Sequence, residues 1–195
     1  MPQPDRTVTF HALHAAAGAL NAFMHDSSSV AKVEQAIDEL AACFTRSCKV
    51  MACGNGGSLC DAAHFAEELT GRFRKNRPAL PAIAITEPGH LTCTANDFGF
   101  DHVFSRAVEA LGRPGDMLVA LSTSGNSTNV RLALEAGRAR GMFTLALLGK
   151  GGGACAGAAD LSIVVPGETS DRIQELHMLI LHTLVEGVES RLGYA

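Results

Sequence analysis

The sequence predicts an α/β fold in which helices cover both faces of a five-stranded parallel sheet. Three observations carry this expectation. Past Cys48, short apolar runs alternate with helix-length segments five times, and strands that alternate with helices pair in parallel because each connection must cross over the sheet. The runs are apolar almost throughout, as in buried strands. No linker or low-complexity stretch interrupts them, so residues 1–195 read as one domain, with helices over 1–46 and the α/β core over 47–195.

The elements follow in order. Residues Phe10 to Met24 form an Ala- and Leu-rich helix. Asp26 and Ser27 to Ser29 offer caps for a second helix, whose Val30, Val33, Ile37, Leu40, Ala41 and Phe44 recur at helical spacing. Lys49–Cys53 is a strand that ends at glycine, followed by the loop GNGGS and a helix from Ser58 to Arg72. Ala82–Ile85 is a strand and Asp101–Leu111 a helix. Asp116–Leu121 is a strand, followed by STSGNS and a helix to Arg140. Phe143–Leu148 is a strand, Gly151–Gly153 a loop, Leu161–Val165 the last strand and Ser170–Arg191 the last helix.

Composition narrows the function. Apolar residues make up 47% of the 195 positions and charged residues only 18%, which suits a large core and some surface buried between subunits. The net charge of −4 gives nucleic acid or anionic lipid no global attraction. No apolar run approaches the ~18 residues of a membrane span, and MPQPDRTVTF has no secretory apolar segment. The six cysteines form no C-x-x-C pair. They read as free, mostly buried thiols of a cytoplasmic protein.

Ligands of open parallel sheets bind beyond the carboxyl ends of the strands, which points to the two loops. In Gly54-Asn55-Gly56-Gly57-Ser58 the glycines admit a close ligand, and the helix that follows presents free N–H groups to an anion. Leu59 stands where a dinucleotide fingerprint has its third glycine, and the lysine of a nucleoside-triphosphate loop is missing. Ser122-Thr123-Ser124-Gly125-Asn126-Ser127 occupies the equivalent place and brings four hydroxyls, which suits a small phosphomonoester. Each loop alone also fits an ordinary capped turn.

Beyond GNGGS, Asp61, His64, Glu68 and Arg72 share one helix face. The i, i+4 pair His64 and Glu68 fits two metal ligands, an acid and a base, or a plain surface pair. On the last helix Gln174 and His182 lie about two turns apart on one side, among enough apolar neighbours that His182 is expected to be partly buried. From spacing alone, a hydrogen-bonded core histidine is the default reading.

The stretch ACGNGGSLCDAAHFAEELTGRFRKNRPALPAIAI, with ANDFGF, FSRAVEALGRPGD, STSGNSTNV and DRIQELHMLILH, closely resembles the phosphoheptose (sedoheptulose 7-phosphate) isomerases of the sugar-isomerase (SIS) superfamily. The resemblance runs from about Val50 to the C-terminus, and the first ten residues look like an extension. It implies an αβα sandwich and a cytoplasmic homotetramer with active sites shared between subunits. The implied reaction converts D-sedoheptulose 7-phosphate to D-glycero-D-manno-heptose 7-phosphate through an enediol, the first step towards ADP-heptose and the lipopolysaccharide core. The resemblance also implies one Zn2+ per subunit on His64, Glu68, Gln174 and His182, and substrate contacts from Asn55, Gly56, Gly57, Ser58, Glu68, Asn96, Asp97 and Gln174. Ser122, Thr123, Ser124 and Ser127 would hold the phosphate, and Arg72 and Asp171 would orient the substrate. In this reading Glu68 is the base and His182 the acid. Relatives with this fold that bind a replication initiator or sense sugar phosphates give an alternative without catalysis. The retained Glu68 and His182 argue against it.

Overall fold

The computed structural model describes residues 7–194, so the start of the proposed extension, residues 1–6, lies outside the described residues. Helix α1 (Val8–His25) begins at Thr7, whose hydroxyl accepts from the Phe10 N–H at 3.1 Å. It stops at Asp26. The Asp26 carboxylate accepts from the Ser28 N–H at 3.1 Å and from the Ser29 hydroxyl at 2.6 Å, and so starts α2 (Ser27–Thr45). The stripe predicted on α2 is buried at Val33, Ile37, Leu40, Ala41 and Phe44, while Val30 stays partly exposed. Along α1 only Phe23 is buried.

Strands β1 (Val50–Gly54), β2 (Ala82–Ala84), β3 (Met117–Ser122), β4 (Phe143–Leu148) and β5 (Leu161–Val164) form one sheet in the order β2-β1-β3-β4-β5. Every pairing is parallel, with Gly54 of β1 in register with Leu121 of β3. Alternate residues feed two separate cores. Val50, Ala52, Met117, Val119 and Leu121 meet α2, α3 (Gly57–Thr70) and α7 (Ser170–Arg191). Met51, Cys53, Leu118 and Ala120 meet α5 (Ser105–Leu111) and α6 (Thr128–Ala139) on the other face. Central strands with no polar side are what a sheet covered on both faces demands. At the opposite end from the loops, the buried Asp116 carboxylate pairs with the Lys49 ammonium and accepts from the Lys49 and Arg113 N–H groups, which fixes β1 against β3.

The sequence reading missed one element and misdrew another. Helix α4 (Pro88–Phe98) fills the stretch left unassigned after β2. Pro-Gly reads as a turn, yet Pro88 occupies the first turn of α4, where its missing N–H costs nothing, and the Glu87 carboxylate accepts from Gly89 N at 2.9 Å and from His90 N. The helix expected over Asp101–Leu111 is a 3-10 turn (Phe100–His102) followed by the shorter α5. Other boundaries move by a few residues, as when β2 stops at Ala84 rather than Ile85. The cysteines are all free, with Cys43, Cys53 and Cys155 buried, Cys48 partly covered and Cys60 and Cys93 exposed. Burial pushes the Cys53 thiol up to about 12, which leaves it inert as a nucleophile.

His177 of α7 is fully buried, and neither of its ring nitrogens has a hydrogen-bond partner. Burial pushes its pKa down to about 4. The unfolded chain therefore binds the proton more readily than the folded one, and stability is lost as pH falls from about 6.5 towards 4. Replacement of His177 by leucine is expected to remove a share of this loss on the order of 3 kcal/mol. Urea denaturation of both proteins at pH 7 and pH 4.5 measures it. Parallel pH dependences would show that His177 is not the responsible group.

Candidate functional site

The strand order reverses between β1 and β3, and that switch point is where an α/β sheet opens a crevice. Both loops leave the sheet there. At the first, Gly56 takes φ +57° and Gly57 starts α3. A Cβ on Gly57 would stand 2.7 Å from the Gln174 amide, so glycine is what lets α3 begin against α7.

At the second loop, Ser122 closes β3, and its Oγ lies 3.4 Å from Ser124 Oγ and 3.1 Å from Ser127 Oγ. It also accepts from the Gly125 N–H at 3.1 Å. Thr123 Oγ1 lies 3.1 Å from the Ser170 hydroxyl at the start of α7. Ser127 is the N-cap of α6 but makes no capping hydrogen bond with its side chain, which leaves the first-turn N–H groups available to an anion. Gly125 holds the turn at φ +66°, and a Cβ there would meet the Gly152 carbonyl oxygen at 2.3 Å. The two loops are tied together by Asn55 and the buried Asn129, whose side-chain amides exchange two hydrogen bonds of 2.9 Å each.

The helices α3 and α7 carry a second group. One ligand atom each from His64, Glu68 and His182 falls within 4.8 Å of the other two. His64 Nε2 lies 3.1 Å from Glu68 Oε1, and the His64 and His182 rings meet edge to face at 5.2 Å between centroids. The Glu68 side chain is 17% exposed and that of His64 is 43% exposed, so the group is open on one side. Two imidazoles and a carboxylate suit a divalent metal of zinc type. Ligands around such an ion sit about 3.4 Å apart in a tetrahedron, which small side-chain rotations would reach. The donor set therefore fits a metal ion.

The remaining predicted residues are placed as follows. Ser58 is buried, with the Gln174 Nε2 at 3.5 Å from its hydroxyl. Gln174 rests on Gly57 and Ser58, about 12 Å along α7 from His182. Asp171 lines an open cavity with Asp61, Gln174, Glu175 and Met178, and hydrogen bonds from Thr169 and Arg172 hold its carboxyl down at about 2. Arg72 is exposed on the segment after α3. Asn96 and Asp97, exposed near the end of α4, hydrogen-bond each other at 2.7 Å and no residue of either loop. Three residues without a role in the sequence reading join the site. Asn129 and Ser170 bond to loop residues. Asp61, noted only as sharing the face of His64, has a buried Oδ2 without a hydrogen-bond partner, and burial raises its pKa. Asn129 sits in the quoted STSGNSTNV, and its buried face on α6 was the available signal.

Comparison with known proteins places these features in a family. The SIS domain family matches residues 14–149, more than half of the chain. The phosphoheptose isomerase of Fusobacterium nucleatum is 54% identical over 87% of this chain and 88% of its own. That of Edwardsiella ictaluri is 54% identical over 93% and 94%. Among solved structures, phosphoheptose isomerase from Neisseria gonorrhoeae superposes with a TM-score of 0.85 at 40% identity, covering 94% of this chain and all (100%) of that one. The one from Francisella tularensis gives 0.85 at 32% identity, covering 92% and 95%.

The close approach at Gly125 has a measurable consequence. Gly125→Ala is expected to destabilise the fold by at least ~1–3 kcal/mol, from the left-handed backbone and the carbonyl contact together. Gly18→Ala is the control. It lies within helix α1 with nothing near its Cβ position, and should be neutral or stabilising by up to ~1 kcal/mol. Chemical denaturation compares the two, and equal midpoints would contradict the packing described.

Proposed function

Since this chain belongs to the phosphoheptose isomerase family of SIS-domain proteins, we propose that it converts D-sedoheptulose 7-phosphate to D-glycero-D-manno-heptose 7-phosphate, the first step towards ADP-heptose for lipopolysaccharide core. It is a sugar-phosphate isomerase. The observation that carries the finer reading is the meeting of His64, Glu68 and His182 within 4.8 Å, on helices that both start beside the hydroxyl loops. The alternative of a protein that only binds an initiator or senses sugar phosphates would need no such acid–base group.

The reaction moves one proton between adjacent carbons and needs no co-reactant. Glu68 has one oxygen engaged by His64, and we assign the other, Oε2, to the proton on C1. The enediol that results keeps the carbon skeleton. His182 donates to the oxygen on C2 as its carbonyl becomes a hydroxyl and recovers a proton from the oxygen on C1. Glu68 then returns its proton to C2. Ser122, Thr123, Ser124 and Ser127, with the N–H groups that open α6, hold the phosphate, and Asn55, Gly56, Gly57 and Ser58 border the sugar. Hydroxyls and amides bind by direction rather than by net charge, which fixes the distance from phosphate to C1.

The metal reading is one Zn2+ per subunit on His64, Glu68 and His182, with Gln174 as fourth donor. To serve there, Gln174 would leave its contact with Ser58. When bound, the ion polarises the sugar oxygens and steadies the negative charge that develops on them.

A cytoplasmic homotetramer with shared active sites completes the proposal. Val8, Leu13 and Met24 are exposed along α1, as are Phe98, Phe100 and Leu111 around α4 and α5, which supports burial of both regions against other subunits. Asn96 and Asp97, turned to each other rather than to their own loops, are assigned to a neighbouring site. Arg72 and Asp171 keep the orienting role that the resemblance implies.

Incubation with sedoheptulose 7-phosphate, followed by NMR or mass spectrometry of the heptose phosphate, tests the function directly. Turnover is expected, and a chelator should remove it. Glu68→Gln and His182→Ala should each lower turnover at least ~100-fold with the mass by light scattering unchanged. Wild-type rates in either variant would remove the mechanism. An absence of product from the wild-type protein would favour the binding-protein alternative. Deletion of residues 1–25 should reduce the assembly mass, and an unchanged tetramer would exclude α1 from the contacts.

A further inference from the structure

The catalytic groups proposed above lie on two helices, so their chemistry depends on how those helices are held to one another. The segment 71–78, which joins α3 to the run before β2, has no part in that mechanism beyond Arg72. It nevertheless follows a single stripe of α7. His182, Glu186 and Glu189 occur at i, i+4 and i+7, one face of the helix. The Phe73 ring lies 5.7 Å from that of His182. The Arg74 guanidinium covers the Phe73 ring at 4.9 Å and pairs with Glu186 at 2.5 Å. Arg77 Nε donates to Glu189 Oε1 at 2.8 Å.

Arg77 does more than pair. Its Nη2 donates to the Glu68 carbonyl and its Nη1 to the Leu69 carbonyl, both at 2.7 Å, with a further bond to the Pro78 carbonyl at 3.0 Å. The first two acceptors belong to the last turn of α3, whose carbonyls have no partner within the helix. One rigid guanidinium therefore grips the backbone of Glu68 itself and the helix that carries His182. The Arg77 side chain is 1% exposed and that of Glu189 is 5% exposed.

A buried pair of this kind is a poor source of stability, because desolvation offsets most of its attraction and apolar replacements are often as stable. Its specific product is alignment. We propose that Arg77, through Glu189, is a positioning residue that sets the His182 imidazole against the Glu68 carboxylate. The inference rests on the reading of these two residues as the reacting centre. Neither Arg77 nor Glu189 touches substrate in it.

The test separates alignment from folding. In Arg77→Met/Glu189→Met the charges go together and two apolar side chains fill the space. Arg77→Lys keeps the charge but loses the planar fork that spans both helices. Each is compared with wild type for melting temperature, for kcat and KM on sedoheptulose 7-phosphate, and for Zn2+ affinity by chelator competition. The expected result is a melting temperature near that of wild type in at least one variant. In that variant kcat falls and Zn2+ affinity weakens by about 10-fold or more, while KM stays within about threefold. Should the double variant fail to fold, Arg77→Lys decides by the same measurements. A folded variant with wild-type kcat and wild-type Zn2+ affinity overturns the proposal. If the wild-type protein turns over no sugar phosphate, the isomerase reading fails instead, and the Zn2+ affinities still decide whether Arg77 aligns the two helices.

Discussion

Helices α3 and α7 lie side by side in the same direction, and the chemistry proposed for the protein hangs on that contact. Gly57 meets Gln174 at one end, His64 and Glu68 meet His182 in the middle, and Arg77 bridges the last turn of α3 to Glu189 beyond them. Shared direction keeps the two helices in step, because both rise by the same length per residue. A shift of one turn would carry His182 about 5 Å past its partners and leave three unrelated surface residues. The sheet supplies the reason the contact exists. Both helices cover the same apolar face, and Ala62, Phe65 and Leu69 of α3 enter one core with Ile173, Leu176, Leu181 and Leu184 of α7.

The two strand-end loops, proposed to hold the phosphate, depend on the sheet in a different way. Parallel strands place every carboxyl end along one edge, and the strand order reverses there between β1 and β3, where α/β sheets open a crevice. The Asn55–Asn129 pair holds the two loops across this crevice without charge. A chain with a net charge of −4 would gain little from long-range attraction of a phosphate. Hydroxyls and free N–H groups at a helix start act over a single bond length, and for them geometry matters more than field. That division suits an isomerase. In the proposed reaction, directed hydrogen bonds would anchor one end of the substrate, and the other would reach a pair of groups that exchange protons.

Much of this was legible in the residues. The strands, α2, α3 and α7 follow from periodicity because their burial is nearly uniform along one or both faces. The segment after β2 failed for a local reason. Pro88-Gly89 carries the mark of a turn, and only the Glu87 side chain converts it into a helix start. Arg77 was invisible for another reason. In the sequence it is one cation among several in RFRKNR, and nothing distinguishes the one that is buried from those that are solvated. Asn129 and Asp61 were likewise ordinary polar residues until burial removed their access to water.

The sequence by itself determined the fold class and the two loops, because these depend on periodicity and on residue type at short range, while the candidate ligands on each helix came from its resemblance to the phosphoheptose isomerases. Only the tertiary structure decided that His182 joins His64 and Glu68, while Gln174 rests two turns away on Gly57 and Ser58. It also decided that Asn96 and Asp97 stay apart from the loops of their own chain. The physical reason is that helical spacing fixes which face a residue occupies but not what that face meets. The partner is chosen by packing between elements more than a hundred residues apart in the chain, and no local pattern records it.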